Sequence, residues 1–530
     1  EPGDTVYVDT GQYNLTSNII IGQDNSGISD NYVKILGSPH GTVINRGSVA
    51  GGARCFEIWG NYVCIEGFTL TGANTGISAN VDTCEQATIH ENIIYGNSGT
   101  GIEITTYKNG GGDGPYEITN NLVYNNDTAM YLRNWYYGGN ANFKVINNTV
   151  VNSGSICFSY DSAPGLAVFR NNIVVISGSG KSCVQAPVAA FQECDYNNYF
   201  YTNGAVLNPN AVSFLAWTNS TLLDQHSLNA DPLFVDAFNG DYHLQSTTGS
   251  WHDGAWTADG ALSPCIDSGS PADSLGIELV PNGSRINQGA YGGTAQASLS
   301  SSARTLMLLT PIGGETWSGT GNIQWTCAGN AWQAGDTLKL EYSTDGGSTW
   351  SLIQGGEAIA CTAYRFYWNT LSVDSGWQCR VRITCNQNEL IYDASRSNFT
   401  IHNTGFRFYI NDDSLDNDVY CTAVGNDTND GRSPSTPKAT VQAILTTYDL
   451  EPGDTVYVDT GNYLLTSNIS VTAADQGTVG NPVTFIGSTD SSGTIFDRNA
   501  SSTSTSRAFE ATGSYIRLER IRATRGYFGI

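Results

Sequence analysis

Side chains able to do chemistry are most crowded in one short run: Asp412, Asp413, Asp416, Asp418, Asp427 and Asp430 fall within 19 residues. Carboxylate oxygens gathered in this way suit Ca2+, a hard cation that prefers oxygen ligands, and make Asp416, Asp418, Asp427 and Asp430 the candidate ligands. Their spacing is not that of an EF-hand loop, and aspartates in such runs also cap turns through bonds to nearby backbone N–H groups. Between residues 62 and 203 the one adjacent His–carboxylate pair is His90-Glu91. Neighbours on a regular strand point to opposite faces, so a solvated pair is expected there, not an acid–base couple. Trp135, Tyr136 and Tyr137, in RNWYYGGNANF (133–143), supply aromatic faces beside asparagines, a combination that stacks on sugars. The same rings can equally pack a loop against its own fold. No catalytic residue is assigned.

Composition narrows the classes. The 530 residues carry 49 Asp plus Glu against 24 Lys plus Arg, a formal charge of −25 that disfavours nucleic acid and anionic membrane surfaces as partners. Sixty glycines and only 2 methionines accompany many Asn, Ser and Thr, a mixture that favours strands and turns over helices. Twelve cysteines without a CxxC pair give no zinc pattern. Their even number and wide spacing lead to an expectation of disulfides in an oxidising compartment, hence of a secreted, extracellular or cell-surface protein. Without an initiator Met, a signal peptide or an apolar run long enough to span a bilayer, the sequence reads as an internal piece of a longer secreted chain. Nine Asn-x-Ser/Thr sequons, at Asn14, Asn126, Asn147, Asn219, Asn282, Asn398, Asn426, Asn468 and Asn499, are formal glycosylation sites.

The elements that must position these groups are repeats on two scales. EPGDTVYVDTGQYNLTSNI (1–19) returns as EPGDTVYVDTGNYLLTSNI (451–469), and YVCIEGFTLTGANTGI (62–77) is answered by YIRLERIRATRGYFGI (515–530). One full period and the start of another are the signature of a tandem array. Within the period, IHENIIYGN, ITNNLVYNN, VINNTVVNS, FRNNIVVIS and DYNNYFYTN align Asn92, Asn121, Asn148, Asn172 and Asn198 in one column at spacings of 29, 27, 24 and 26. Each unit carries three short strands. Three strands per turn with Asn at a fixed corner describe a coiling parallel β-solenoid, since Asn tolerates left-handed backbone and stacked amides can bond from coil to coil. Nine or ten coils are expected.

On these motifs residues 1–300 resemble a right-handed parallel β-helix of the secreted, pectate-lyase-like superfamily. NADPLFVDAFNGDYHLQ (229–245) and SPCIDSGSP with PNGSRINQGAYGGTAQAS (263–298) are similar to the closing segments of such proteins. The run at 420–463 resembles their opening cap. There Thr436 reads as an N-cap and Pro437 as the first turn of a helix at about 437–449, with Val441, Ile444, Leu445 and Tyr448 on one side. Residues 304–402 differ: Asp345-Gly346-Gly347 between LKLEYST and STWSLI signals a hairpin, and about seven short strands resemble an immunoglobulin or fibronectin type III sandwich. Its Cys327, Cys361, Cys379 and Cys385 allow two bridges in three pairings. The expected fold is therefore all-β: a parallel β-helix (1–300), a sandwich (304–402), then the cap and first coils of a second β-helix (403–530).

The superfamily's enzymes imply two reactions, each with its own signature. A polyuronate lyase needs a basic residue and a cation-neutralised carboxylate, and a polygalacturonase-type hydrolase needs paired carboxylates on adjacent coils. Neither signature is present. Lys144 and Arg170, the nearest approach to a basic column, are expected on opposite faces. The expected role is structural: a fibre, stalk, sheath or adhesin whose partners are neighbouring copies of the repeat. Polysaccharide binding or cleavage is the alternative, with glycans as partners and Ca2+ as the one cofactor considered.

Overall fold

The strand Thr5–Val8 lies beside Val33–Gly37, and that beside Val63–Glu66, each pair parallel and in register. This stacking continues to Phe191–Asp195 and produces an eight-stranded parallel sheet. A second eight-stranded sheet runs from Gly11–Asn14 to Asn198–Thr202, and a third, of seven strands, from Ile19–Ile21 to Ser182–Gln185. The computed structural model describes residues 1–81, 84, 86–106, 115–134, 142–151, 154–161, 167–211, 213–333, 335–499 and 505–530. The protein is mostly β, a parallel β-solenoid with additional antiparallel sheets. Eight coils replace the expected nine or ten; at about 4.8 Å per coil the stack is about 34 Å long.

Alternation builds the interior. In the first sheet Ile89, Tyr116, Ile118, Phe143, Val145 and Phe169 point inward and form, with Ile94, Val123 and Ile102 from the other sheets, one continuous core. The corner between the first and second sheets is held by amides. Asn92 donates from its backbone N and its Nδ2 to Asn121 Oδ1, at 3.0 and 3.1 Å. Asn121 does the same to Asn148, and Asn148 to Asn172. The next rung is Asn197, at 3.0 Å from both donors of Asn172. Asn198 instead bonds the backbone of Ala230, a one-residue correction to the expected column. Its cause is a bulge in Phe191–Asp195, which leaves Arg170 opposite Asp195 and so aligns Asn172 with Asn197.

The left-handed backbone belongs to the residue before each rung: Glu91, Asn120, Asn147, Asn171 and Tyr196 have φ between 51° and 57°. These outer asparagines do a second job. Asn120 Nδ2 donates to the carbonyls of Ala290 and Gly292, Asn147 Nδ2 to those of Asn287 and Gly289, and Asn171 Oδ1 accepts from Ser270 N. The closing segment thus runs back along the outside of the second sheet, and Leu122, Val151 and Ile173 are buried against Tyr242, Ala290, Leu244 and Ile266. Asn126 and Asn147 are buried and bonded, so those two sequons are not glycan acceptors in the folded chain.

The exit end is closed by the helix Phe214–Thr221 and by Asp224, which accepts from Asn197 Nδ2, Ser227 Oγ and Trp217 Nε1. Arg365 Nη2 donates to the carbonyls of Asp224 and Ser227, tying this end to the next unit. That unit has a three-stranded antiparallel sheet (Thr305–Thr310, Thr320–Ala328, Arg365–Asn369) and a second sheet centred on Thr337–Ser343 and Gly376–Cys385. Both contribute to a core of Leu308, Ile323, Trp325, Leu340, Val381 and Phe399. Beyond it, parallel strands resume: Arg407–Ile410, Thr455–Val458, Val483–Gly487 and Ile516–Glu519 form one sheet. Thr455 faces Thr484 as Thr5 faces Lys34, the same register 450 residues on.

The expected disulfides are absent. All twelve cysteines are buried free thiols. They fill small spaces in the cores, and burial pushes the Cys55 and Cys64 thiols up to about 12. Cys379 and Cys385 share the strand Gly376–Cys385, too far apart along it, at about 20 Å, to bridge each other. The cap helix also differs: it spans Val441–Thr447 with Thr440 as N-cap, its hydroxyl accepting from Ala443 N. Thr436 bonds Asp430 instead, and Lys438 is extended because its backbone pairs with Tyr409 and Asn411 at the sheet edge. Among the described residues no helix is long and apolar enough to cross a membrane.

Two measurements test this account. Replacing Asn148 by Ala strands the donors of Asn121 and the carbonyls of Ile118 and Ile146, and should lower stability by roughly 2–4 kcal/mol in calorimetry, whereas exposed Asn14→Ala should stay within about 0.5 kcal/mol. His402 Nε2 lies 2.8 Å from Asp454 Oδ1 between sandwich and second solenoid; burial alone would lower its pKa, but the bond to Asp454 and the charges of Asp454 and Glu451 raise it. Such a group stabilises the fold fully below its unfolded pKa of about 6.5, and this contribution is lost as pH rises through the higher folded value. The melting of the junction should therefore fall from about pH 6 to pH 9, and His402→Gln should flatten that dependence.

Candidate functional site

Outward positions of the third sheet form two columns. By register one column is Glu57, Ser78, Glu103, Tyr131, Ser159 and Gln185, and the other contains Thr105, Arg133 and Asp161. They face away from the core because Ile77, Ile102, Ile104, Met130, Leu132 and Phe158, their strand neighbours, fill it. Outward residues on a bare solenoid would be open to water. Here Glu57, Ser78, Thr105 and Ser159 are buried, whereas Glu103, Tyr131 and Arg133 are half-buried, so the face is sheltered.

The groups on it differ in availability. Glu57 accepts from Asn18 Nδ2 at 2.9 Å and Trp59 Nε1 at 3.3 Å, with Arg54 at 3.7 Å. Glu103 makes no hydrogen bond among the described residues, although it stands between Ser78 and Tyr131. A free carboxylate, a phenol and a guanidinium on one sheltered strip can bind a hydroxyl-rich ligand through charge-assisted bonds and ring contact. Glu57 and Glu103 lie two coils apart, about 10 Å, and the first is already engaged, so the strip does not present a poised pair of carboxylates. The strands Thr100–Thr106, Thr128–Asn134 and Ile156–Asp161 lead into segments 107–114, 135–141 and 162–166. Trp135, Tyr136 and Tyr137, in the second of these, lie outside the described residues. Reasoning from sequence missed this strip because it looked for motifs within a strand, whereas the columns join residues 21 to 28 apart; the alternation GIEIT and AMYLR was the available signal.

The other candidates are dispersed. Asp427 Oδ1 accepts from Ala439 N and Thr440 N, and Asp430 Oδ1 from Arg432 N and Thr436 Oγ1, while Asp418 Oδ2 accepts from Asn411 Nδ2. These carboxylates hold turns and the helix start; among the described residues no group of three or more His, Cys, Asp or Glu is placed to hold a metal. Asp412 and Asp413 border a groove of about 430 Å³ between the cap helix and the second solenoid, floored by Val441, Tyr463 and Phe496. His90 and Glu91 do meet, at 3.2 Å, contrary to the expectation from strand alternation. Glu91 lies past the strand end with φ 51°, which turns its side chain back; the His90 bond lowers the Glu91 pKa. This is a surface ion pair, with His90 Nδ1 also 2.8 Å from Thr119 Oγ1. Lys144 and Arg170 share the outer face of the first sheet, because Arg170 stacks on Ile146, two residues from Lys144. Lys144 is paired with Glu117 and Arg170 with Asp273 and Glu193, so neither is a free base.

A protein-family model described as disaggregatase related matches residues 72–269, the stretch that contains the amide ladder, the sheltered strip and the exit helix. No curated protein matches the chain. Among solved structures the crystal structure of alginate lyase from Paenibacillus sp. strain FPU-7 is similar at 16% identity and a TM-score of 0.24, over 40% of this chain and 91% of that one. The chain is a parallel β-solenoid protein with a disaggregatase-related segment at 72–269.

Proposed function

We propose that this chain is an extracellular structural repeat, part of a fibre, stalk, sheath or adhesin at a cell surface, in which solenoids alternate with a sandwich module. The observation that carries this reading is the restart: after the two antiparallel sheets, strands 450 residues downstream resume the same registers, Gly11 with Thr42 and Gly461 with Thr494. In this reading the units are a right-handed β-helix (1–300), an immunoglobulin- or fibronectin type III-like sandwich (304–402) and the cap and first coils of the next β-helix (403–530). Neighbouring copies of the repeat are its partners. The acidic charge of −25 and the resemblance of both ends to secreted β-helix proteins support the extracellular assignment; buried thiols do not bear on it, since none is bridged. Sequons at exposed Asn14, Asn219, Asn426 and Asn499 remain acceptors in such a setting.

Small-angle scattering on the purified chain checks the reading: an extended profile with a long axial dimension is expected, and negative-stain images should show filaments whose axial repeat equals one module. A compact, spherical profile would refute it.

A second reading, a polysaccharide-binding or polysaccharide-cleaving protein, is favoured by one observation, the sheltered strip with the unengaged Glu103. It predicts retardation in gels containing alginate or pectin, weakened about fivefold or more by Tyr131→Ala and by Glu103→Gln. Turnover of those polymers would establish cleavage; unchanged mobility in every gel would remove this second reading.

A further inference from the structure

One surface occurs twice in this molecule, covered in the second repeat and open in the first. In the second repeat the strand Thr455–Val458 is paired on both edges, with Val483–Gly487 on one side and Arg407–Ile410 on the other. Asp454 Oδ1 accepts from Phe406 N at 2.6 Å and lies 2.8 Å from His402 Nε2. Asp459 receives three consecutive backbone N–H groups, of Val419, Tyr420 and Cys421, at 2.7, 2.8 and 2.6 Å. The helix Val441–Thr447 completes the cover, its Val441 and Ile444 in the same core as Val456 and Tyr463.

The first repeat carries the same residues without the cover. Thr5–Val8 is paired only with Val33–Gly37, leaving one edge open. Val6 is 51% exposed where Val456 is 0%, and Tyr13 38% where Tyr463 is 6%. Asp9 accepts only from Thr10 N, at 2.7 Å, and Asp4 only from the amino group of Glu1. The receptor is nonetheless already in its bound shape. Tyr13 Oη donates to Asp9 O at 3.1 Å as Tyr463 Oη does to Asp459 O at 3.2 Å. Thr42 Oγ1 donates to the carbonyls of Val8 and Asp9 as Thr494 Oγ1 does to those of Val458 and Asp459. Thr10 Oγ1 bonds Ser38 Oγ as Thr460 Oγ1 bonds Ser488 Oγ.

We propose that the Asp4–Tyr13 face is a docking surface for the 402–450 segment of a second copy of this repeat. The incoming strand at 407–410 would extend the first sheet at the Thr5–Val8 edge. Asp4 takes the N–H at position 406 and the imidazole at 402, Asp9 takes the N–H groups at 419–421, and Val441 and Ile444 cover Val6 and Tyr13. An open edge strand flanked by exposed apolar side chains is otherwise a template for indiscriminate pairing, and two carboxylates set to receive specific N–H groups select one occupant. The proposal rests on the fibre reading and supplies its joint.

The test is titration of the full chain into a labelled synthetic peptide of residues 402–450, followed by fluorescence anisotropy and hydrogen exchange. Saturable one-to-one binding is expected, with slowed exchange across residues 5–13 and at least about tenfold weaker binding to the double variant Asp4→Asn, Asp9→Asn. Both substituted residues are exposed in the free chain, so the variant's melting curve should match that of the parent. No saturable binding, binding that the double variant leaves unchanged, or dimerisation of the chain through Thr5–Val8 without peptide would each overturn the proposal. Failure here with an extended scattering profile intact removes this joint and leaves the fibre reading standing; a compact profile removes the fibre reading whatever the peptide does.

Discussion

A buried amide has two donors and one strong acceptor to satisfy, and in this protein only the coil above and the coil below can do it. Asn148 shows the constraint. Its Nδ2 reaches Ile118 O, Ile146 O and Asn172 Oδ1, while its Oδ1 receives Asn121 N and Nδ2. Every rung is therefore correct only if its neighbours are in register, which makes the corner cooperative along its length. A serine could not donate and accept in this pattern, and an aspartate has no N–H to pass on. That last property ends the ladder: Asp224, an acceptor alone, receives Asn197 and returns nothing to it. Burial pushes its carboxyl pKa up, while bonds from Ser227, Trp217 and Asn197 pull it back. At the other end Phe68 N is the donor to Asn92, preceded by Gly67 at φ 79° where later coils carry Glu or Asn.

The doubled asparagines follow from the same geometry. In TNN, INN and RNN the second Asn builds the inner ladder and the first, in left-handed backbone, binds the closing segment on the outside. One dipeptide thus fastens both faces of a corner. The second sheet's outward side chains are apolar because this segment covers them, and so its strands read as continuous hydrophobic runs. The closing segment then turns to the sandwich, where Gly329 N donates to Asp267 Oδ2 and Ser268 Oγ meets Thr326 Oγ1. Rigid coils joined through such buried contacts transmit force without a hinge of loose chain.

Much of this was legible in the sequence. The Asn column and three-strand period identified a solenoid, because a residue with one physical job recurs at one spacing. The slip at Asn198 came from a bulge that inserts a residue before the corner, and DYNN imitates RNN closely enough to conceal it. The helix start failed differently: Thr436-Pro437 has a good local signal, but the edge of Arg407–Ile410 claims the backbone of Lys438 and delays the helix to Thr440. Disulfides were inferred from a count, and counts carry no directions. The two copies of EPGD were equally readable as a repeat, yet nothing local tells that Asp454 is buried and bonded while Asp4 is exposed, since that depends on the segment packed against each. The sheltered strip was invisible for a related reason: its members meet across coils.

Corners without ladders explain where variation goes. The first corner carries the long ladder, and the second, between the second and third sheets, carries a short one that sequence alignment overlooked: Asn97 donates from N and Nδ2 to Asn126 Oδ1, at 3.1 and 3.0 Å. At both corners the number of residues is fixed by the bonds. Close packing adds to this, for a Cβ on Gly76 or Gly101 would stand 2.7 Å from Ile94 or Val123, so these positions beside the second corner admit only glycine. The third corner, from the third sheet back to the first, has no amide row among the described residues. Nothing there fixes length, and that is where segments 107–114, 135–141 and 162–166 are inserted. They follow directly on the strands that carry Glu103, Tyr131 and Arg133. Two corners fixed by hydrogen bonds make the column, and the third, left unconstrained, is where chemistry can change without cost to the winding.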